Sequence, residues 1–272
     1  MVARVAQLVY YPVKGCAGTP VPAAEVTPAG LRNDRGFMVV AEDGGFRSQR
    51  RHPALATVRP TLTEDGTRLV LRAPGRADLD LPVAEDGPRR AVSVFRWDGK
   101  GVDQGDAAAE WFGALLGAPS RLVRVPPDHQ RETTGATPGT AGFADSDALL
   151  VVGESSLDLL NERIAAAGGQ PVPVDRFRPN VVVGGWDEPH TEDRIRRAEI
   201  GDVELAYSRE CVRCAVPTVD QETGTRSGPE PVRTLATYRR APEGGVTFGA
   251  KLAVLRAGRI AVGDEVRVVE WA

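Results

Sequence analysis

Short apolar or alternating runs closed by turn residues dominate the first half of the chain. Such runs cover 6–13, 36–41, 68–73 and 91–95, and each predicts a short β-strand. One stretch breaks the rhythm. Trp111, Phe112, Leu115 and Leu116 fall on one stripe at helical spacing, Asp106 can cap the start and Gly117 can end it, so a helix with a core-facing stripe is predicted. Over 126–142 large apolar side chains nearly vanish in favour of Pro, Gly and Thr, the composition of a crossing loop or linker.

Beyond it the pattern resumes. A strand is predicted over 148–152, then a helix from Ser155, where Asp158 completes a capping box and Leu157, Leu160 and Ile164 share one face until Gly168 and Gly169 stop it. A continuous apolar run at 181–183 predicts a buried strand, and further strands are predicted over 203–207, 252–255 and 266–269, with a short helix opened by Pro231. The expected fold class is α+β and β-rich, with a few helices. An N-terminal β-rich domain is expected over 1–125, a linker or loop over 126–142, and a second domain over 143–272.

Composition mainly excludes. The 34 basic and 37 acidic side chains leave a net charge of −3 with no long single-sign run, so nucleic acid is not an expected partner. No run approaches the roughly 18 apolar residues of a membrane span. Residues 1–15 carry Arg4 and Lys14 among alternating positions, reading as a mature strand and not a signal peptide. Three cysteines are too few and too odd for a disulfide framework, so a reducing, cytoplasmic setting is expected.

Two of those cysteines carry the candidate chemistry, in Ser208-Arg209-Glu210-Cys211-Val212-Arg213-Cys214-Ala215-Val216-Pro217-Thr218. A zinc site would need a second close ligand pair, which Cys16, His52, His129 and His190 do not form. Haem attachment would need histidine where Ala215 stands. A thioredoxin-like pair should open a helix, yet Pro217 and a turn follow. Beside that thioredoxin-like pair, which stays open, there remain a single thiolate on a soft or redox-active metal and two small buried side chains, which spacing alone does not separate. Arg213 beside Cys214 would favour the thiolate. From position alone, Lys14 and Arg35 read as solvated charges at a strand end and a strand start.

Six motifs in order decide between them. They are Tyr11-Pro12-Val13-Lys14-Gly15-Cys16, Gly30-Leu31-Arg32-Asn33-Asp34-Arg35-Gly36-Phe37, Phe46-Arg47-Ser48-Gln49-Arg50, Phe143-Ala144-Asp145-Ser146, Phe177-Arg178-Pro179-Asn180, and Cys211 to Cys214 running into Thr218-Val219-Asp220-Gln221-Glu222-Thr223-Gly224. Over nearly the whole chain this set resembles the MOSC family, and within it the amidoxime-reducing members with an added N-terminal β domain. The resemblance implies a MOSC β-barrel-like core and a molybdenum–molybdopterin cofactor whose metal is bound by Cys214, the catalytic position. It implies cofactor contacts from Lys14, Gly15, Arg35, Asp145, Ser146, Asp147, Arg178, Asn180 and Arg213. Arginine forks suit the phosphate of such a cofactor.

Three departures stand out. Gly15 occupies a position often held by serine, and Asp147 replaces a hydroxyl with a charge that should be unwelcome beside a phosphate unless it points away or meets a cation. Lys251 stands where some members place a tyrosine and could partner the phosphate. The activity implied is reduction of N-hydroxylated or related N- or S-oxygenated small molecules. Electrons would come from a separate reductase, ferredoxin or cytochrome-type protein, because neither iron–sulfur ligands nor a glycine-rich nucleotide pattern is present. A persulfide sulfur carrier and a non-enzymatic cofactor-binding protein are the alternatives.

Overall fold

The computed structural model describes residues 2–272. Its centre is an eight-stranded sheet in the order Val266–Trp271, Ile195–Ile200, Val203–Arg213, Val246–Arg256, Leu149–Gly153, Val181–Gly184, Arg4–Tyr10, Thr19–Val21. All neighbours run antiparallel except Leu149–Gly153 and Val181–Gly184, which are parallel and joined by the helix Glu154–Ala166. That pair is buried on both faces, as its unbroken apolar runs require.

A five-stranded sheet holds Arg89–Val94, Trp97–Asp103, Arg121–Arg124, Phe37–Val40 and Val13–Lys14, and two three-stranded sheets complete the fold. The expected fold class, α+β and β-rich with a few helices, is what the chain adopts. None of these sheets closes on itself, so the barrel-like core is built from open sheets packed together.

The chain's halves interlock. Arg4–Tyr10 and Thr19–Val21 join the large sheet made otherwise from residues beyond 148, and Ala23–Thr27 pairs with Gly258–Ala261. The segment 126–142 is irregular but anchored: Arg131 is buried and donates from Nη1 to Gly142 O (2.8 Å) and Ala144 O (2.6 Å), and from Nη2 to Asp145 O (3.0 Å).

The predicted helix with Phe112 in its core is Asp106–Leu116, ended by Gly117 in the left-handed region. Two capping expectations are corrected. Gly105 is the N-cap residue of that helix, and Asp106 instead accepts from Arg121 Nη1 at 2.6 Å. The second helix starts at Glu154 with no side-chain cap, because Ser155 and Ser156 donate their hydroxyls to Glu188 O and Glu192 Oε2 in the 188–192 segment. Tertiary partners there outbid the local capping box.

The strand expected over 203–207 also runs further, to Arg213. Register shifts at Tyr207/Arg209 and Glu210/Val212 break its two-residue period, so the pattern ends before the strand does.

Candidate functional site

All ten residues that the resemblance implicates line one cleft of about 940 Å³, counting its open mouth. It forms where the 32–36 turn, the 46–50 loop and the 143–147 loop meet the ends of strands Val13–Lys14, Val181–Gly184 and Val203–Arg213. Among the described residues no three His, Cys, Asp or Glu side chains converge to hold a metal by themselves, so a metal here needs ligands from a bound group or solvent.

Lys14 is not the solvated charge its position suggests. It is 5% exposed, donates from Nζ to Phe143 O at 2.8 Å and pairs with Asp145. Burial pulls its pKa down, with Asp145 pushing the other way. Gly15 adopts φ +82, a left-handed conformation that favours glycine, and its carbonyl accepts from Gln49 Nε2 at 2.7 Å.

Arg35 is likewise drawn inward. Its backbone, at φ 48, is pinned by its own N–H donating to Tyr11 O (2.7 Å) and by Phe143 N–H donating to its carbonyl (3.0 Å). Its guanidinium donates from Nη1 to Asp34 Oδ1 (2.8 Å) and Asn180 Oδ1 (3.2 Å), and from Nη2 to Arg178 O (3.2 Å).

Arg178 also sits at positive φ, 57, and is 8% exposed. Nη1 donates to Gln221 Oε1 at 3.3 Å, while Nη2 is buried with no hydrogen-bond partner among the described residues. Burial lowers its pKa. A buried guanidinium edge without a partner suits an anion, since leaving such a donor unsatisfied is costly.

Asn180 locks the halves together: its Nδ2 donates to Val9 O (3.2 Å) and its Oδ1 accepts from Leu150 N–H (3.2 Å). Asp147, whose side chain is fully buried, is neutralised from several sides. It accepts from the hydroxyls of Ser146 and Ser208, with Arg209 Nε at 3.4 Å and Lys251 Nζ at 4.0 Å. Lys251 also donates to Ser146 Oγ. The condition set for a carboxylate at this position, a cation to meet it, is therefore fulfilled.

One expectation about the cysteines is corrected. Arg213 and Cys211 lie two residues apart on one strand, so the guanidinium turns to Cys211, with Nη1 to Sγ at 2.9 Å and Nη2 to Phe177 O at 2.8 Å. Cys214 follows the strand end, is half-buried, and its Sγ accepts only from Val216 N–H at 3.5 Å. The three cysteines are all unpaired.

Other cleft residues carried no assigned role in the sequence: Phe46, Arg47, Gln49, Arg50 and Phe95. The first four lie in a motif singled out only for its resemblance. Phe95, on a hairpin turn at φ 56 and 52% exposed, left no signal, because turns with positive φ normally hold Gly, Asn or Asp.

Comparison with known proteins bears on this geometry. Residues 2–119 match the family model described as MOSC N-terminal beta barrel domain, and residues 138–267 match the one described as MOSC domain. Mitochondrial amidoxime-reducing component 1 of Homo sapiens is 36% identical, covering 97% of this chain and 82% of its own. Mitochondrial amidoxime reducing component 2 of Bos taurus is 34% identical, covering 97% and 83%. Among solved structures, the YUAD protein of Bacillus subtilis spans 98% of this chain and 94% of its own at 11% identity, but its TM-score of 0.41 carries no argument.

Proposed function

This chain belongs to the MOSC family, joining the family's N-terminal β-barrel domain to its MOSC domain, and from that premise we propose a molybdenum-cofactor-dependent reductase of N-hydroxylated small molecules. The observation that carries the reading is a half-buried thiol, Cys214, in the same cleft as a buried guanidinium edge, Arg178 Nη2, that has no hydrogen-bond partner among the described residues. A soft metal and an anion are the ligands those two groups suit.

The residues fit the cofactor's two ends. Cys214 Sγ would bind the metal, and Lys14, Arg35, Arg178 and Lys251 would hold the anionic tail. The Gly15 backbone, Asp145, Ser146, Asn180 and Arg213 would border its polar edge, with Asp147 fixing Ser146. When bound, the group supplies two-electron, oxygen-accepting chemistry. The chain contributes a thiolate ligand, cations fixed before binding, and an open mouth rimmed by the exposed apolar side chains of Phe95 and Val212. Electrons would come from a separate redox protein, and the unpaired cysteines favour a reducing compartment such as the cytoplasm. Among the described residues no helix is long and apolar enough to cross a membrane.

The test is turnover of an aryl amidoxime by protein made in a molybdenum-replete host, driven by a reduced viologen dye. Wild type and Cys211→Ser should reduce it, and Cys214→Ser should not. Full activity in Cys214→Ser, or no reduction by molybdenum-loaded wild type, would overturn the proposal. Sulfurated protein free of metal would point to the sulfur carrier instead.

A further inference from the structure

Two guanidiniums of the cleft, buried Arg178 and half-buried Arg35, lie over one ring. Arg35 Cζ is 4.1 Å and Arg178 Cζ 4.3 Å from the centroid of Tyr11, a side chain that is itself buried and does not line the cleft. Among the described residues Arg35 has the carboxylate of Asp34, and Arg178 pairs with none. Two like charges held this closely should repel, and the negative face of an aromatic ring offsets that repulsion.

Tyr11 also ties down both arginine-bearing loops. Its N–H donates to Asp34 Oδ1 at 2.8 Å, its carbonyl accepts from Arg35 N–H at 2.7 Å, and its hydroxyl donates to Pro179 O at 3.1 Å, next to Arg178. Burial pushes the hydroxyl's pKa up to about 12, so it remains a donor at neutral pH. The two arginines are the ones held at φ 48 and 57, conformations that need such external support.

We infer that Tyr11 is a positioning residue that gathers Arg35 and Arg178 into one oxyanion receptor, with Arg178 Nη2 left free for the incoming anion. This deepens the proposed function, in which the oxyanion is the cofactor's phosphate. Arginine selection alone would not make the receptor, because the ring lets the two cations stay together before any anion arrives.

The experiment titrates cofactor-free full-length protein with inorganic phosphate by calorimetry. It compares wild type, Tyr11→Phe, Tyr11→Leu, and a chain with 3,4,5-trifluorophenylalanine replacing Tyr11, a ring of similar shape but weakened negative face. Tyr11→Phe should bind within about threefold of wild type, and the fluorinated ring about tenfold more weakly than Tyr11→Phe. The two should melt alike, which separates the electrostatic role from packing if Tyr11→Leu fails to fold. Equal affinity for the plain and fluorinated rings, or no phosphate binding by wild type, overturns the inference.

Molybdenum content measured in parallel keeps the two claims apart. Ring-dependent phosphate binding in a wild type that never carries molybdenum sinks the proposed function alone. A wild type that loads molybdenum, together with equal phosphate affinity of the plain and fluorinated rings, sinks this inference alone.

Discussion

Replacing Arg178 by methionine should make the empty protein more stable and the loaded one less so. The guanidinium is 8% exposed and has no carboxylate partner among the described residues, so the fold bears its desolvation without a counter-charge. Exchanging even a buried ion pair for apolar side chains of similar volume is often neutral or gains about 1 to 4 kcal/mol, and Arg178 has no carboxylate whose attraction would be lost. Against this stand the contact with the Tyr11 ring, about 1 kcal/mol, and one long hydrogen bond to Gln221, about 0.5 kcal/mol. The net is a gain of roughly 1 kcal/mol, which for a chain of this size raises Tm by about 2 to 4 °C.

Binding has the opposite sign. Charge-assisted hydrogen bonds contribute about 1.5 to 3 kcal/mol, so losing the fork should weaken cofactor retention about 10- to 100-fold. Because a ligand that binds only the folded state raises Tm, the order of melting should reverse between the two forms. Calorimetric melts of cofactor-free and loaded protein, with molybdenum measured per chain, read both effects. A cofactor-free Arg178→Met protein melting below wild type, or one retaining molybdenum as well as wild type, refutes the reasoning.

Three further outcomes are expected. Asn180→Ala removes bonds to Val9 O, Leu150 N–H and Arg35 inside a buried junction, and should cost about 3 kcal/mol, seen as a Tm drop of about 6 to 12 °C; a change under about 1 °C would contradict that role. Burial, aided by the charges of Arg239 and Arg163, holds the His190 pKa at about 4 against an ordinary 6.5. As pH falls the unfolded chain therefore takes up the proton first, so His190 erodes stability between pH 6.5 and 4; urea midpoints across that window should fall less steeply in His190→Asn, and parallel curves would count against it. Iodoacetamide at pH 8 should modify half-buried Cys214 first and Cys16, whose pKa burial raises to about 12, only on unfolding; mass spectrometry finding Cys16 modified as fast as Cys214 would be the contrary result.

How far the sequence carries depends on the kind of information each residue holds. The Trp111–Phe112 stripe and the apolar run at 181–183 are local periodicities, and both elements form as read. Strand Val203–Arg213 was legible only to Tyr207, since its bulges move alternate side chains off the two-residue pattern just where the strand borders the cleft. Lys14 and Arg35 show the limit more sharply: nothing local distinguishes a surface cation from one buried beside Asp145 or Asp34, and only the ordered motifs marked them. Tyr11 was visible within its motif, but its contacts with Arg178 and Pro179 span more than 160 positions and leave no trace in spacing. Arg131 passed as part of a loop for a different reason: it braces the backbone carbonyls of Gly142, Ala144 and Asp145, and carbonyl acceptors leave no mark in side-chain pattern.

X-ray absorption at the molybdenum edge addresses the thiolate–metal bond without relying on turnover. In protein loaded in a molybdenum-replete host, wild type and Cys211→Ser should show the same sulfur shell, and any metal retained by Cys214→Ser should have one sulfur scatterer fewer. An unchanged shell in Cys214→Ser, or loss of the sulfur in Cys211→Ser instead, would contradict the assignment of the metal to Cys214.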